Sequence, residues 1–502
     1  MADLNMLDRF VSYFSPTAGF KRARARAAVS IVSEHTRRFE AASRSRRTNG
    51  WIANSTSADA ESVWDLETMR NRARALVRDD GFASRAVEVF QSNIVGAGIE
   101  IKLSHPNEDA AARARKMWKA WADTSFCDSA GQSSFGALQS LAAAATFTDG
   151  EVFVKRVRPN AAESVSRVPL RIQLLEADYL DTRKNTMVGT NRVVHGIEFS
   201  PRGERVAYWM FDRHPGDTHI SGSSPVTIRI PAEDIIHLYA PKRPGQQRGW
   251  TAFAPVMIRM RDFADYEDAQ LMRQKIAACF GIIIERDDGD ISVGKERDPE
   301  DGMLTEKVQP GLIQYARRGE TVKTVSPPGV EGYSEYQRGS LRGIAAGLGL
   351  PYEEFSGDLS QVNFSSGKMG QTSFQRVVDR FRWHVMIPKF CDGVFAWWLD
   401  AAALLDPSMT LLSAQWSPPR REMIDPSKEI AAATSAVRAG FTSRSSVIRE
   451  SGYDPDEVHE EIAKDNATAD KQKFVFDSDP RLTSKVGLVQ SPDLLTAGGD
   501  KE

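Results

Sequence analysis

Cysteine is nearly absent from this sequence. Cys127, Cys279 and Cys391 are the only three among 502 residues, and each lies more than a hundred positions from the next. Such spacing fits neither a disulfide framework nor a zinc site, so buried, unpaired thiols in a reducing compartment are expected. Long apolar runs are also missing. Nothing approaches the roughly 18 residues of a membrane span, and the N-terminal stretch lacks the apolar core of a secretory signal. The expectation is a protein made in the cytoplasm and soluble until it assembles. An excess of either charge is lacking as well: 65 Lys and Arg face 67 Asp and Glu, a net charge of −2. A nearly neutral chain does not wrap nucleic acid over its whole surface, because that binding needs cations to neutralise phosphates. Any such contact is local or weak.

What is present is ordinary globular usage, 41% apolar and 26% charged residues. At about 150 residues per domain, the length predicts roughly three domains. From Lys21 to Arg47, nine Lys and Arg residues stand against Glu34 and Glu40. This basic arm reads either as a solvated tail or as a strap on an acidic neighbour or a nucleic-acid phosphate, and the sequence leaves both open.

Three- and four-residue spacing of apolar side chains predicts helices from Asp65 to Val77, Ala83 to Val95, Asn107 to Ala122 and Ser134 to Phe147. The pattern then shortens. Glu151–Lys155, Leu170–Leu175, Val194–Phe199, Val206–Phe211 and Val226–Ile230 read as strands separated by Gly and Pro turns, so this block is mainly antiparallel sheet and the class is α+β. A long helix is expected from Thr251 to about Phe280, followed by a strand at Gly281–Glu285 and a charged excursion from Arg286 to Lys307. Strand-like pieces at Leu312–Tyr315 and Thr321–Val325 precede a helix from Ser334 to Ala346. The stretch Glu354–Gly370 is too polar for core. The final long helix, Thr372 to about Leu405, contains Pro388, which removes a helical hydrogen bond and should kink it.

Catalytic motifs are hard to find. Gly289-Asp-Ile-Ser-Val-Gly294-Lys295 has the spacing of a phosphate-cradling loop, but Glu296 stands where a Ser or Thr hydroxyl should hold magnesium. A carboxylate there repels phosphates. Gly357 to Lys368 fails the same test, with Met369 after the lysine. There is no His-Glu-x-x-His pair and no Gly-x-Ser-x-Gly elbow. His237 reads as a core or edge histidine, and no third ligand joins Asp178 and Asp181. No catalytic residue, cofactor site or metal site is therefore expected. Two features are left over. One is the acidic cluster Asp262, Asp265, Glu267 and Asp268 on the long helix, which in a lone chain reads as a solvated face. The other is the polar loop Gly357–Gly367, long enough to suggest a functional segment.

A series of motifs then carries a resemblance. Trp118 and Trp121 precede Asp149-Gly-Glu-Val-Phe-Val154, and Leu175-Glu-Ala-Asp178, Gly196-Ile-Glu198 and Ala207-Tyr-Trp209 follow. Pro231-Ala-Glu-Asp-Ile-Ile-His237, Arg243-Pro-Gly-Gln246 and Arg248-Gly249 lead into the helix bearing Tyr266-Glu-Asp-Ala269. Gly349-Leu-Pro-Tyr-Glu353 comes before Asn363-Phe-Ser-Ser366. In this order, from about residue 60 to 465, the chain resembles the lambda-type portal proteins of tailed bacteriophages. It departs from the family pattern at Gly367-Lys368, where an arginine is expected.

The resemblance implies a ring of about twelve subunits at one capsid vertex, in the virion and in the host cytoplasm during assembly, around a channel for double-stranded DNA. It implies a basic arm (1–60), an α+β wing (61–250), a stem helix (251–281), a clip (282–330), a return stem helix (331–350), a tunnel loop (351–373), a long kinked wing helix (374–406) and a helical crown with tail (407–502). The clip would dock terminase and later the head-completion or adaptor protein, within a shell of major capsid and scaffold proteins. Asp358, Gln361, Asn363, Phe364, Ser365, Ser366 and Lys368 are the expected DNA-side residues, and Asp262, Asp265, Glu267 and Asp268 the expected channel lining of the stem. The helix face of Phe253, Val256 and Met260 is expected to pair subunits. The rival readings are a nucleotide-using packaging enzyme of terminase type, resting on Gly289–Lys295, and a capsid or adaptor ring without a DNA channel.

Overall fold

The computed structural model describes residues 10–11, 13–22, 24–25, 46, 50, 55–159, 168–217, 224–278, 283–286, 296–297, 304–305, 320–323, 332–419, 425–453, 455–474 and 476. Most of the basic arm, the Gly289–Lys295 spacing, the Leu312–Tyr315 strand and the C-terminal tail lie outside them. The chain divides into two compact units, Met1–Ser57 and Ala58–Glu502.

The second unit opens with the short helix α1 (Ala58–Ser62), then α2 (Leu66–Asp79) and α3 (Gly81–Ile94). The α2–α3 break falls at Asp80, whose side chain accepts from the Ala83 amide and caps α3. Strand β1 (Glu100–Ser104) leads to α4 (Glu108–Ala122) and α5 (Phe135–Thr148), capped by Asn107 and Ser134. Each cap is the residue type that offers an oxygen to an orphan amide; Asn107 and Ser134 stand at the expected starts of their helices, whereas α3 begins two residues before the expected Ala83.

The expected antiparallel block divides into two sheets. Strands β2 (Glu151–Val157), β3 (Arg171–Leu175) and β9 (Ile235–Tyr239) form one, with β2 central. The other is a five-stranded meander of β4 (Thr186–Val188), β5 (Asn191–Val194), β6 (Ile197–Phe199), β7 (Arg205–Phe211) and β8 (Thr227–Pro231). The single strand expected over Val194–Phe199 is a hairpin instead. His195 and Gly196 both have positive φ, 49° and 81°, the geometry of a tight two-residue hairpin turn.

The long helix starts later than expected. Helix α6 (Met257–Ala278) is 22 residues, roughly 33 Å at 1.5 Å per residue, and Thr251 to Val256 form turns before it. Strands β10 (Ile283–Arg286) and β13 (Glu320–Lys323) pair antiparallel, as do the short β11 (Glu296–Arg297) and β12 (Leu304–Thr305). Helix α7 (Tyr333–Leu348) ends at Gly349, in the left-handed conformation at φ 72°, and is followed by α8 (Tyr352–Ser356). Helix α9 (Phe364–Phe381) begins eight residues before the expected start. It passes into a π-helical segment, Arg382–Cys391, and then α10 (Asp392–Ala403). Pro388 lies inside that segment. Its missing amide and ring bulk disfavour the i to i−4 ladder, and wider winding accommodates both. Strand β14 (Ser413–Ser417) returns to pair with β1, about three hundred residues away, and α11 (Pro426–Arg438), α12 (Arg444–Glu450) and α13 (Pro455–Gln472) follow.

One large core joins the N-terminal helices to the C-terminal ones. Trp118 lies 5.2 Å from both Trp121 and Trp398 by ring centroids, and Phe135 stacks on Phe390. Arg382, 4% exposed, donates to the Asn93 and Ile94 carbonyls at 2.7 and 2.8 Å, satisfying the C-terminal end of α3.

The expected subunit-pairing face is corrected by this core. Phe253, Val256 and Met260 are 0, 3 and 1% exposed within one chain, in the same cluster as Phe263, Leu341 and Ile344. They hold the start of α6 against its own protomer. Their spacing correctly marked a buried stripe, but periodicity alone does not say which chain covers it.

Candidate functional site

The polar loop is shorter than expected because both ends are helical. Gly357, at φ 71°, terminates α8, and the Gly367 amide donates to the Asn363 carbonyl at 2.9 Å to begin α9. Residues 357–363 remain as the connection. Its first anchor is Asp358, which accepts from the Tyr352 hydroxyl at 3.0 Å and the Ser360 amide at 3.0 Å, with Arg338 of α7 at 3.5 Å. The Ser360 hydrogen bonds, then that of Tyr352, hold its carboxyl below the usual range. Beneath it, Phe355 is 1% exposed and its ring lies 5.7 Å from Phe82. Arg85 donates to the Glu354 carbonyl at 3.1 Å and Asn93 to the Glu354 carboxylate at 3.1 Å, tying the loop root to α3.

The other predicted loop residues separate into three groups. Gln361 and Asn363 are exposed on the connection, with Leu359 also 68% exposed. Phe364, Ser365 and Ser366 occupy the first turn of α9, and their side chains lie outside the described part of the structure. Lys368 is exposed and reaches Glu429 of α11 at 3.4 Å, so it links α9 to the C-terminal helices. Asp358 and Lys368 thus brace the two ends of the loop.

The acidic cluster on α6 divides as well. Asp262, Asp265 and Asp268 are exposed at intervals of three. Glu267 is turned the other way, toward α7, accepting from Tyr333 at 3.3 Å and Gln337 at 3.1 Å. Its carboxylate is thus engaged in the α6–α7 helix pair, beside the Tyr266–Tyr336 ring contact at 4.3 Å, while among the described residues the three aspartates are not.

A buried polar knot was missed in sequence. Glu151, on β2, accepts from Arg248 through two nitrogens, from His237 Nε2 at 2.9 Å and from the Gly249 amide at 2.9 Å. Burial is the largest influence on this carboxyl and acts to raise its pKa. The Arg248 charge and the His237 hydrogen bond together overcome it, so Glu151 stays ionised well below the usual range. Burial likewise dominates at His237 and pushes it down to about 4. Every oxygen of Glu151 is occupied, which makes the knot a clasp between the β2–β9 sheet and the segment leading to α6. The available signal was a charge beside a glycine at both ends, Gly150-Glu151 and Arg248-Gly249.

Among the described residues one group has metal-like composition: Glu176, Asp178 and His214. The Arg74 guanidinium lies among them, 2.8 Å from Asp178 and 3.1 Å from Glu176, and also pairs with Asp149. That guanidinium already supplies the compensating positive charge, so the donor set does not fit a cation. Cys127 and Cys391 are free and buried. No helix among the described residues is long and apolar enough to cross a membrane.

A family model described as phage portal protein, lambda family, matches residues 44–382. The chain is 28% identical over 457 residues to a probable portal protein of Halomonas phage phiHAP-1, covering 86% of each chain. It is 24% identical over 460 residues to portal protein B of Escherichia phage lambda, covering 81% of this chain and 85% of that one. Among solved structures, a chain from the neck of a native gene transfer agent particle aligns over 78% of this chain and 94% of its own, with 14% identity and a TM-score of 0.44.

Proposed function

We infer that this chain, which belongs to the lambda family of phage portal proteins, closes with other copies into a ring at a capsid vertex and encloses a channel through which double-stranded DNA passes. It is a head–tail connector. In this reading the α+β block is the wing, α6 and α7 the stem, 282–330 the clip, the 357–363 connection the tunnel loop, and the helices after β14 the crown. The clip docks the terminase motor and afterwards the head-completion protein. The role is structural, with packaging energy supplied by a separate ATPase.

The observation that carries the reading is family membership across the segment containing both sheets, the α6–α7 pair and the loop. The chemistry of the exposed groups supports it. A channel that grips phosphates would add counterion-release energy at every contact and stall translocation. Asp262 and Asp265 are exposed carboxylates, and ring symmetry turns each into a circle of charge. With a screening length of about 8 Å, such circles act only on DNA close to the wall. The loop offers amide and hydroxyl groups, Gln361, Asn363 and Ser360, in place of cations.

Native mass spectrometry of the purified protein tests this reading. A single closed oligomer of defined subunit number is expected. A persistent monomer, or saturable magnesium-dependent ATP binding by the same preparation, would favour the rival packaging enzyme.

A further inference from the structure

Helix α9 and the first turn of the π-helical segment that continues it present an uncovered face of unusual composition. Met369, Ser373, Arg376, Arg380 and Trp383 recur at intervals of four, three, four and three, so they share one side, and all five are exposed. Met369 is 76% exposed and Trp383 51%. The opposite side is the packed one, with Phe374 and Val378 at 4 and 1%. Among the described residues neither Arg376 nor Arg380 makes an ion pair. The nearest carboxylate on the helix, Asp379, lies 4.0 Å from Arg382 instead. Two free guanidiniums flanked by a thioether and an indole form a surface suited to desolvated contact with carboxylates on an apolar floor.

The same chain carries a surface of that complementary kind. A groove of about 580 Å³ opens between the α2–α3 break, α6 and the end of α8. Asp79, Asp80, Glu267 and Asp268 line it, with Phe82, Ala264 and Phe355 among its apolar lining. Arg85, among its described lining residues, is engaged by Glu88 at 2.9 Å and the Glu354 carbonyl, and Asp79 is paired on the surface with Arg78 at 2.8 Å. Asp268 is exposed and makes no ion pair among the described residues.

A closed ring of identical chains is built from heterologous contacts, which need two different, complementary patches on one molecule. We propose that the Arg376–Arg380–Trp383 face, on α9 and the adjoining π-helical turn, docks into the Asp79–Asp268 groove of a second copy, and that this contact repeats from subunit to subunit. The proposal rests on the ring reading above and names the surfaces that close it. A nucleic-acid phosphate is the other conceivable partner for the α9 face. The matching groove on the same chain, with Asp268 unpaired among the described residues, the exposed Asp79 beside Asp80, and two aromatic rings, favours a second copy.

Two charge-reversed full-length chains test the assignment. One carries Arg376→Glu and Arg380→Glu, and the other Asp79→Arg and Asp268→Arg. All four positions are exposed, so circular dichroism melts should match the parent. Each variant alone should lose ring by about tenfold or more at concentrations where the parent is assembled, because like charges now meet. An equimolar mixture of the two should recover rings, since alternating copies restore opposite charges at every contact. Either variant forming rings alone at the parent's yield would overturn the docking surfaces while leaving the ring reading intact. A parent protein that forms no ring would instead overturn the ring reading. Loss of duplex DNA binding by the arginine variant, with its oligomer unchanged, would assign the face to phosphate.

Discussion

The backbone of Gly249 passes so close to Gly150 that a Cβ on Gly249 would lie 2.0 Å from the Gly150 carbonyl oxygen. A Cβ on Gly150, whose φ is +92°, would lie 2.3 Å from the Trp250 carbonyl carbon. Both clashes are with backbone, so no rotamer change relieves them. This crossing brings Arg248 and the Gly249 amide onto Glu151, at the joint between the β2–β9 sheet and the segment that enters α6.

Gly249→Ala should therefore destabilise the protein by about 3 kcal/mol, the upper range for an overpacked site. Gly245→Ala is the control in the same loop. It has φ +79° but nothing within 4 Å of its Cβ position, so only the left-handed backbone cost of roughly 1–2 kcal/mol applies. Urea denaturation midpoints should fall in that order. Equal shifts would mean that the joint yields freely.

The clasp also predicts a pH dependence. His237 titrates at about 4 in the folded chain against an ordinary 6.5. Between those values the unfolded chain binds the additional proton, so stability rises with pH and is fully present above the upper one. As pH falls from 6.5 toward 4, this site should remove up to about 1.4 kcal/mol per pH unit. Glu151 acts in the same direction at lower pH, because its folded-state pKa is depressed below 4.5. Its contribution is present above that value and is lost on further acidification. His237→Gln keeps a donor for Glu151 without the titration, and its urea midpoint should vary less between pH 6.5 and 4. A slope identical to the parent's would exclude His237 as the titrating group.

Met260 makes a sharper test of how burial is divided between one chain and the ring. Met260→Asp places a carboxylate at a position 1% exposed, at a cost of about 4 kcal/mol or more. Ile258→Asp, two residues away on the same helix, alters a side chain that is 72% exposed. The first should lower the melting temperature and the soluble yield, and the second should leave the fold intact. A Met260→Asp protein that melts like the parent but fails to form rings would return this position to the subunit interface.

Much of the chain was legible where local chemistry fixes structure. Asn107 and Ser134, at the expected helix starts, cap the helices they precede, whereas the Asp80 cap before Gly81 lies ahead of the expected Ala83 start. Alternation located β2, β3, β7 and β8 to within a residue or two. The sequence could not show β1 pairing with β14, because that register joins Glu100 to Ser417 across most of the chain and neither strand has a strong pattern alone. The same holds for the loop. Its polarity suggested an extended stretch to Gly370, but Ser and Gly in a first helical turn look like loop residues until the Gly367 to Asn363 hydrogen bond is seen. The acidic residues of α6 were read as one cluster. Helical geometry places Glu267 on the α7 side and the three aspartates elsewhere, a division that the 100° step per residue could have indicated.

The proposed function requires a passive channel wide enough for a duplex, bordered by uncharged loop groups and carboxylates. Electron cryomicroscopy of the purified full-length protein tests it most directly. A closed ring is expected, with an axial opening wide enough for a duplex, ringed by residues 357–363 with Asp262 and Asp265 in repeated circles around it. A monomer, or a ring whose 357–363 segment lies on the outer rim away from any opening, would contradict it.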